Sequence, residues 1–128
     1  TFRRGKRVLR ETTKGHAAWR LAVRRAAVKA ADDAELPTME GGAILYVDFW
    51  FLRPPTHVKK KGGLRKGKPI HKISAPDLSK LVRAVEDSLT DAEVWGDDSQ
   101  VVSLHATKRY TDREEQEGAE FMLFRAAE

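Results

Sequence analysis

At 128 residues the chain suits one domain with one modest core. It has no cysteine, which removes disulfide scaffolds, cysteine–zinc sites and thiol nucleophiles, and no apolar run approaches the ~20 residues of a membrane-spanning helix. The net charge of +5 hides a division, because residues 1–75 hold 18 Lys/Arg against 6 Asp/Glu and residues 76–128 hold 6 against 13.

In chain order, Arg3, Arg4, Lys6, Arg7 and Arg10 crowd around Phe2, Val8 and Leu9, the pattern of a short strand or hairpin with a basic rim. Residues 16–32 read as a helix. Trp19, Ala22, Val23, Ala26, Ala27 and Ala30 make one apolar stripe of mostly small side chains, suited to close packing on a sheet. Pro37, Gly41 and Gly42 mark a turn, and residues 43–52 then alternate as a strand. Leu45, Val47, Phe49 and Phe51 share one face; Ile44, Tyr46, Asp48, Trp50 and Leu52 share the other. Two largely apolar faces predict a central strand covered on both sides, ended by Pro54 and Pro55.

Residues 56–72 contain Lys59, Lys60, Lys61, Arg65, Lys66, Lys68 and Lys72 with no acid. Such a segment has too little apolar surface to order itself, so a mobile basic loop is expected. Seven uncompensated cations repel one another, and a polyanion relieves that repulsion; the reading is a flap that DNA orders.

After Pro76 the apolar positions Leu78, Leu81, Val82, Val85 and Leu89 define a second helix, with Ser79, Arg83 and Asp87 along another stripe. Asp77 stands in its first turn, where a carboxylate complements the helix dipole. Asp97 and Asp98 precede a strand over residues 100–110, and residues 119–125 supply a last strand expected to pair with it as a hairpin. Adjacent carboxylates raise each other's pKa unless a cation is shared, and Mg²⁺ takes such oxygen ligands together with water and phosphate. Asp77, Asp97 and Asp98 are therefore candidate metal ligands, and Arg83 a candidate cation for a transition-state phosphate. The four histidines, His16, His57, His71 and His105, lack metal-ligand spacing and read as structural or solvent-facing, with His71 the one expected to lie near DNA.

Ala75-Pro76-Asp77-Leu78-Ser79-Lys80-Leu81-Val82-Arg83, Glu86-Asp87-Ser88-Leu89-Thr90 and Val94-Trp95-Gly96-Asp97-Asp98-Ser99-Gln100-Val101-Val102 resemble the RusA family of crossover junction endodeoxyribonucleases. The resemblance is dense over residues 75–110. It implies a single small α+β domain over residues 1–128, with a mixed sheet packed against two main helices. It further implies a homodimer that nicks Holliday junctions and other branched DNA in a Mg²⁺-dependent reaction, in a cytoplasmic, nucleoid-associated setting compatible with a phage or prophage source.

Carried over by position, Asp77 and Asp98 match the family's metal-site aspartates, and Asp97 matches an acidic neighbour. Asp87 matches a helix aspartate expected to be structural. Two positions depart: Ser79 stands where the pattern has a second Asp, and Arg83 where it has Lys. A serine hydroxyl does not neutralise a divalent cation, so weaker Mg²⁺ binding follows, with Mn²⁺ the tighter activator. Lys59, Lys60, Lys61, Arg65, Lys66, Lys68, Lys72, Arg3, Arg4, Lys6 and Arg7 are the expected DNA contacts. Two other readings stand beside the nuclease. One is a junction- or duplex-binding protein of the same fold with its chemistry lost at Ser79; the other is a basic RNA-associated module with no active site.

Overall fold

The computed structural model describes residues 9–11 and 38–127. Arg3, Arg4, Lys6, Arg7 and the helix expected over residues 16–32 lie outside them. Four strands, β1 (Leu9–Glu11), β2 (Ala43–Leu52), β3 (Val101–Thr111) and β4 (Gly118–Arg125), form one mixed sheet in the order β1-β4-β2-β3. One α-helix stands among the described residues, α1 (Leu78–Asp91); of the two main helices expected, the structure describes this one.

β2 pairs on both sides, parallel to β3 and antiparallel to β4. The expected β3–β4 hairpin does not form. Residues 112–117 instead carry the chain across the end of β2, so β4 reaches its far side. Two contacts hold the crossing: Glu117 Oε2 accepts a hydrogen bond from Leu52 N at 3.0 Å, and Arg53 N donates to Thr111 O at 2.9 Å. Alternating apolar residues in β3 and β4 fit either neighbour equally well. The polar residues between them can form a hairpin turn or a crossing, and the long apolar β2 decides by offering two free edges.

The core lies on one face of the sheet. Leu45, Val47 and Phe49 of β2 align with Leu123, Phe121 and Ala119 of β4, and all six are buried. Leu81, Val82, Ala84, Val85 and Leu89 of α1 cover them, and Trp95, Val94 and Met39 close one end. The opposite face is less covered than its composition predicted. Tyr46 is exposed and stacks on His105 at 4.5 Å, while Asp48 accepts hydrogen bonds from Thr107 Oγ1 and from Arg109, the latter at 3.1 Å. Asp48 is thus a polar residue at a half-covered strand position.

Parallel strands require a crossover, and here it is residues 53–100 with α1 at their centre. α1 starts level with Lys108, the β3 partner of Phe49, and ends where Trp95 bridges Met39 just ahead of β2. Its exit is closed by Glu93 at φ 57°, with Glu93 N donating to Thr90 O and Val94 N to Leu89 O. Left-handed backbone at a helix C-terminus favours glycine. Glu93→Gly is therefore expected to raise stability by about 1 kcal/mol, read as a higher urea midpoint with an unchanged slope.

Candidate active site

The segment that delivers Asp77 is held by lysines. Lys108 Nζ, from β3, donates to Ser74 O and to Pro76 O, both at 2.9 Å. Lys72 Nζ donates to Ser74 Oγ at 2.5 Å and to Ala75 O at 2.8 Å, and lies over the rings of Phe51 (5.1 Å) and Tyr110 (5.7 Å). Three consecutive carbonyls are thus fixed by two ammonium groups, through charge-assisted hydrogen bonds of the stronger kind. Lys72, expected to contact DNA, spends its donors inside the protein. Lys108 was not singled out in the sequence, although it interrupts the strand alternation of Leu104, Ala106 and Tyr110.

Asp77 is the N-cap residue of α1, yet its side chain makes no capping hydrogen bond. The carboxylate is exposed, with Lys80 Nζ at 3.8 Å. An aspartate at this position ordinarily caps the first turn, and here that stabilisation is forgone. Ser79, Arg83 and Asp87 lie exposed along the helix, as their spacing indicated. Arg83 makes no ion pair or hydrogen bond with a described residue.

The second acidic segment is built around Gln100. Its Oε1 accepts from Gly96 N at 2.8 Å and Asp97 N at 3.0 Å, while its Nε2 donates to Met39 O and Gly41 O, both at 3.0 Å. The Asp97–Asp98 turn is thereby fastened to the chain entering β2. Asp97 accepts a hydrogen bond from Ser99 Oγ at 2.7 Å. That hydroxyl, with further hydrogen bonding to Asp98, holds Asp97 below the usual carboxylate range.

The charge of Asp98 acts on Glu86 of α1. Burial first, then the charges of Asp98 and Asp87, push Glu86 above its ordinary range, while Arg83 pulls it down. Glu86 lies seven residues beyond Ser79, two turns along the same helix face, and that spacing is the sequence signal that would have found it. Asp77 and Glu86 are nine residues apart, about 13 Å along the helix axis.

Among the described residues no group of three or more His, Asp or Glu side chains could hold a metal ion. Asp77, Asp97 and Asp98 are not drawn into one such group. The donors present are nonetheless hard oxygens suited to Mg²⁺ or Mn²⁺. Mg²⁺ is commonly held by one or two carboxylates, with water and substrate phosphate completing its shell. Asp98 and Glu86, each within reach of the other's charge, are donors of that kind.

Residues 56–72, expected to be mobile, carry an internal hairpin-like turn. Val58 bridges Leu64, Lys59 N donates to Gly63 O, and Arg65 N donates to His57 O. Lys59, Lys60, Lys61, Arg65, Lys66 and Lys68 are exposed. Burial and then the charges of Lys68, Arg53 and Lys72 hold the His57 imidazole below its usual range.

A family model described as endodeoxyribonuclease RusA matches residues 1–117. The chain belongs to the RusA endodeoxyribonuclease family. No curated protein matches it. RusA proteins are Holliday junction endonucleases, and the matched span takes in the basic turn, the lysine-held approach to Asp77 and the Gln100-centred acidic turn.

The Glu86 environment gives a signed pH dependence. A raised folded pKa makes ionisation of Glu86 unfavourable to folding; below both the folded and unfolded values the side chain is neutral and equivalent to glutamine. In EDTA, Glu86→Gln is expected to melt higher than the unsubstituted protein at neutral pH. The difference should disappear as pH falls through the carboxylate range. A difference of the opposite sign, or one independent of pH, contradicts this placement of Glu86.

Proposed function

We propose that this RusA protein is a metal-dependent, structure-selective endonuclease that nicks opposed strands of a four-way junction as a homodimer. The observation that carries the proposal is the uncapped Asp77: an exposed carboxylate, mounted on a lysine-fixed segment, stands nine residues after the last cation of an exposed basic turn. A carboxylate left uncapped on the segment that follows a basic turn suits phosphodiester hydrolysis better than it suits helix stability.

In this reading Lys59, Lys60, Lys61, Arg65, Lys66 and Lys68 hold the phosphate backbone by charge, so binding weakens with salt. Arg83, without a described partner, offers a planar fork of donors to a phosphate oxygen, where lysine would offer a point charge. Asp98 and Glu86 are the carboxylates that would share one Mg²⁺ or Mn²⁺, while Asp77, about 13 Å away along the helix axis, would hold a separate ion completed by water and substrate phosphate. When bound, such an ion supplies an activated water and neutralises charge developing on the phosphate oxygens. Asp97, engaged by Ser99, keeps the acidic turn in shape. Ser79 contributes a hydroxyl in the first turn of α1 but no charge. A two-fold dimer matches a junction because each protomer meets one of two equivalent strands.

A synthetic four-way junction, a linear duplex and a single strand, each incubated with EDTA, Mg²⁺ or Mn²⁺, test the proposal. Paired metal-dependent nicks restricted to the junction are expected. Asp77→Asn and Asp98→Asn should each lower the cleavage rate by about a thousandfold, while junction binding in gel shifts stays near that of the unsubstituted chain. Cutting at the original rate by either variant removes that residue from the site.

One observation favours the binding-only reading: the absence of a three-ligand group among the described residues, with Ser79 at a position where the family pattern has Asp. It predicts tight junction binding with no nicks in either metal. Under the nuclease reading, Ser79→Asp is expected to lower the Mg²⁺ concentration for half-maximal cleavage by roughly tenfold, the effect of one added carboxylate charge. An unchanged requirement, with Ser79→Ala equally active, places residue 79 away from the ion.

A further inference from the structure

The span joining the basic turn to Asp77 reads Pro69-Ile70-His71-Lys72-Ile73. Ile70 is 72% exposed and Ile73 80%, the two most exposed large hydrophobic residues among those described. Single exposed aliphatic residues are ordinary on protein surfaces. What sets this pair apart is the mounting.

Arg53, whose side chain is only 12% exposed, donates to Pro69 O at 2.8 Å and to Ile70 O at 3.0 Å, with its guanidinium over the Tyr110 ring at 4.3 Å. On the far side of Ile73, Lys72 and Lys108 hold Ser74, Ala75 and Pro76. The backbone is therefore fixed on both flanks by three cations that donate to it, while both isoleucine side chains are exposed. The collapse that would bury them is prevented by the same hydrogen bonds.

Charge identifies the occupant. From residue 49 to residue 76 there is no Asp or Glu, and exposed lysines and arginines crowd the preceding turn. A partner seated here is a polyanion that also offers apolar surface. Nucleic acid offers it on the faces of its bases, which are covered in a continuous duplex and accessible where stacking is interrupted.

We propose that Ile70 and Ile73 form an apolar wedge that packs against base faces at the branch point of the DNA. The wedge rests on the junction reading given above and supplies a source of structure selectivity that charge cannot, since every duplex carries the same phosphates. Branch-point bases are already partly unstacked, so inserting an aliphatic side chain costs less there than within an intact helix.

The test uses a four-way junction with 2-aminopurine at the branch point and a duplex with the same label, both in EDTA so that no strand is cut. The unsubstituted chain is expected to raise the junction's fluorescence and leave the duplex's unchanged. The double variant Ile70→Ser/Ile73→Ser should lose that rise and bind the junction roughly tenfold more weakly, as expected for losing the partial burial of two aliphatic side chains. Its duplex affinity should stay within about twofold, because the phosphate contacts remain. Ile70→Leu/Ile73→Leu should restore both the fluorescence and the affinity.

A serine variant with unaltered fluorescence and junction affinity overturns the wedge. So does a shift of that variant to a smaller species in sedimentation, which would assign the pair to a protein interface. Equal binding of junction and duplex by the unsubstituted chain overturns the junction reading itself, and the two failures are read in different arms.

Discussion

The parallel pairing of β3 along the whole of β2 is the constraint on which the remainder of this protein depends. It runs from Ala43 opposite Val101 to Leu52 opposite Thr111. Two parallel neighbours are joined only by a chain that returns from one end of the sheet to the other. That return carries every residue assigned to chemistry: the basic turn, the approach to Asp77, α1 and the Asp97–Asp98 turn. The apolar face of α1 buries against β2 and β4, so the helix is fixed by the core and its exposed face presents Ser79, Arg83 and Asp87 outward. The placement of the candidate site is here a by-product of satisfying the crossover.

The cations around the site divide by what they touch. Arg53, Lys72 and Lys108 turn inward, where their donors meet the backbone oxygens of residues 69, 70 and 74–76 and the rings of Phe51 and Tyr110. The lysines and Arg65 of the preceding turn stay in solvent. The inward set forms the frame and the outward set forms the field. A carbonyl run next to an aspartate would ordinarily leave unsatisfied acceptors and an uncompensated charge; the lysines resolve both while keeping the Asp77 carboxylate exposed. The same frame leaves Ile70 and Ile73 in water, a cost that fits contact with a partner.

The acidic half also divides. Asp97 is committed to its turn by Ser99, and Gln100 ties that turn to residues 39 and 41. Glu86 bears the opposite condition, a carboxylate disfavoured by burial and by the charge of Asp98. Arg83 offsets part of that cost, and a bound cation, as proposed above, would offset more.

Much of this was legible in the residues themselves. The alternation of residues 43–52 defined the central strand, the 3–4 spacing of Leu78, Leu81, Val82, Val85 and Leu89 defined α1, and the motifs around Asp77 and Asp98 identified the family. Those are local signals, set by side-chain periodicity and by spacing along the chain. What the sequence did not determine was which strand edges meet, because Val102, Leu104 and Ala106 and the apolar residues of β4 pair with either neighbour until β2 offers both its edges. Nor did it separate Lys72 and Lys108 from the solvent-facing lysines, or bring Glu86 to Asp98. Burial and charge proximity between distant segments arise only when the crossover closes, and that closure decided which cations frame the site and which carboxylates face one another.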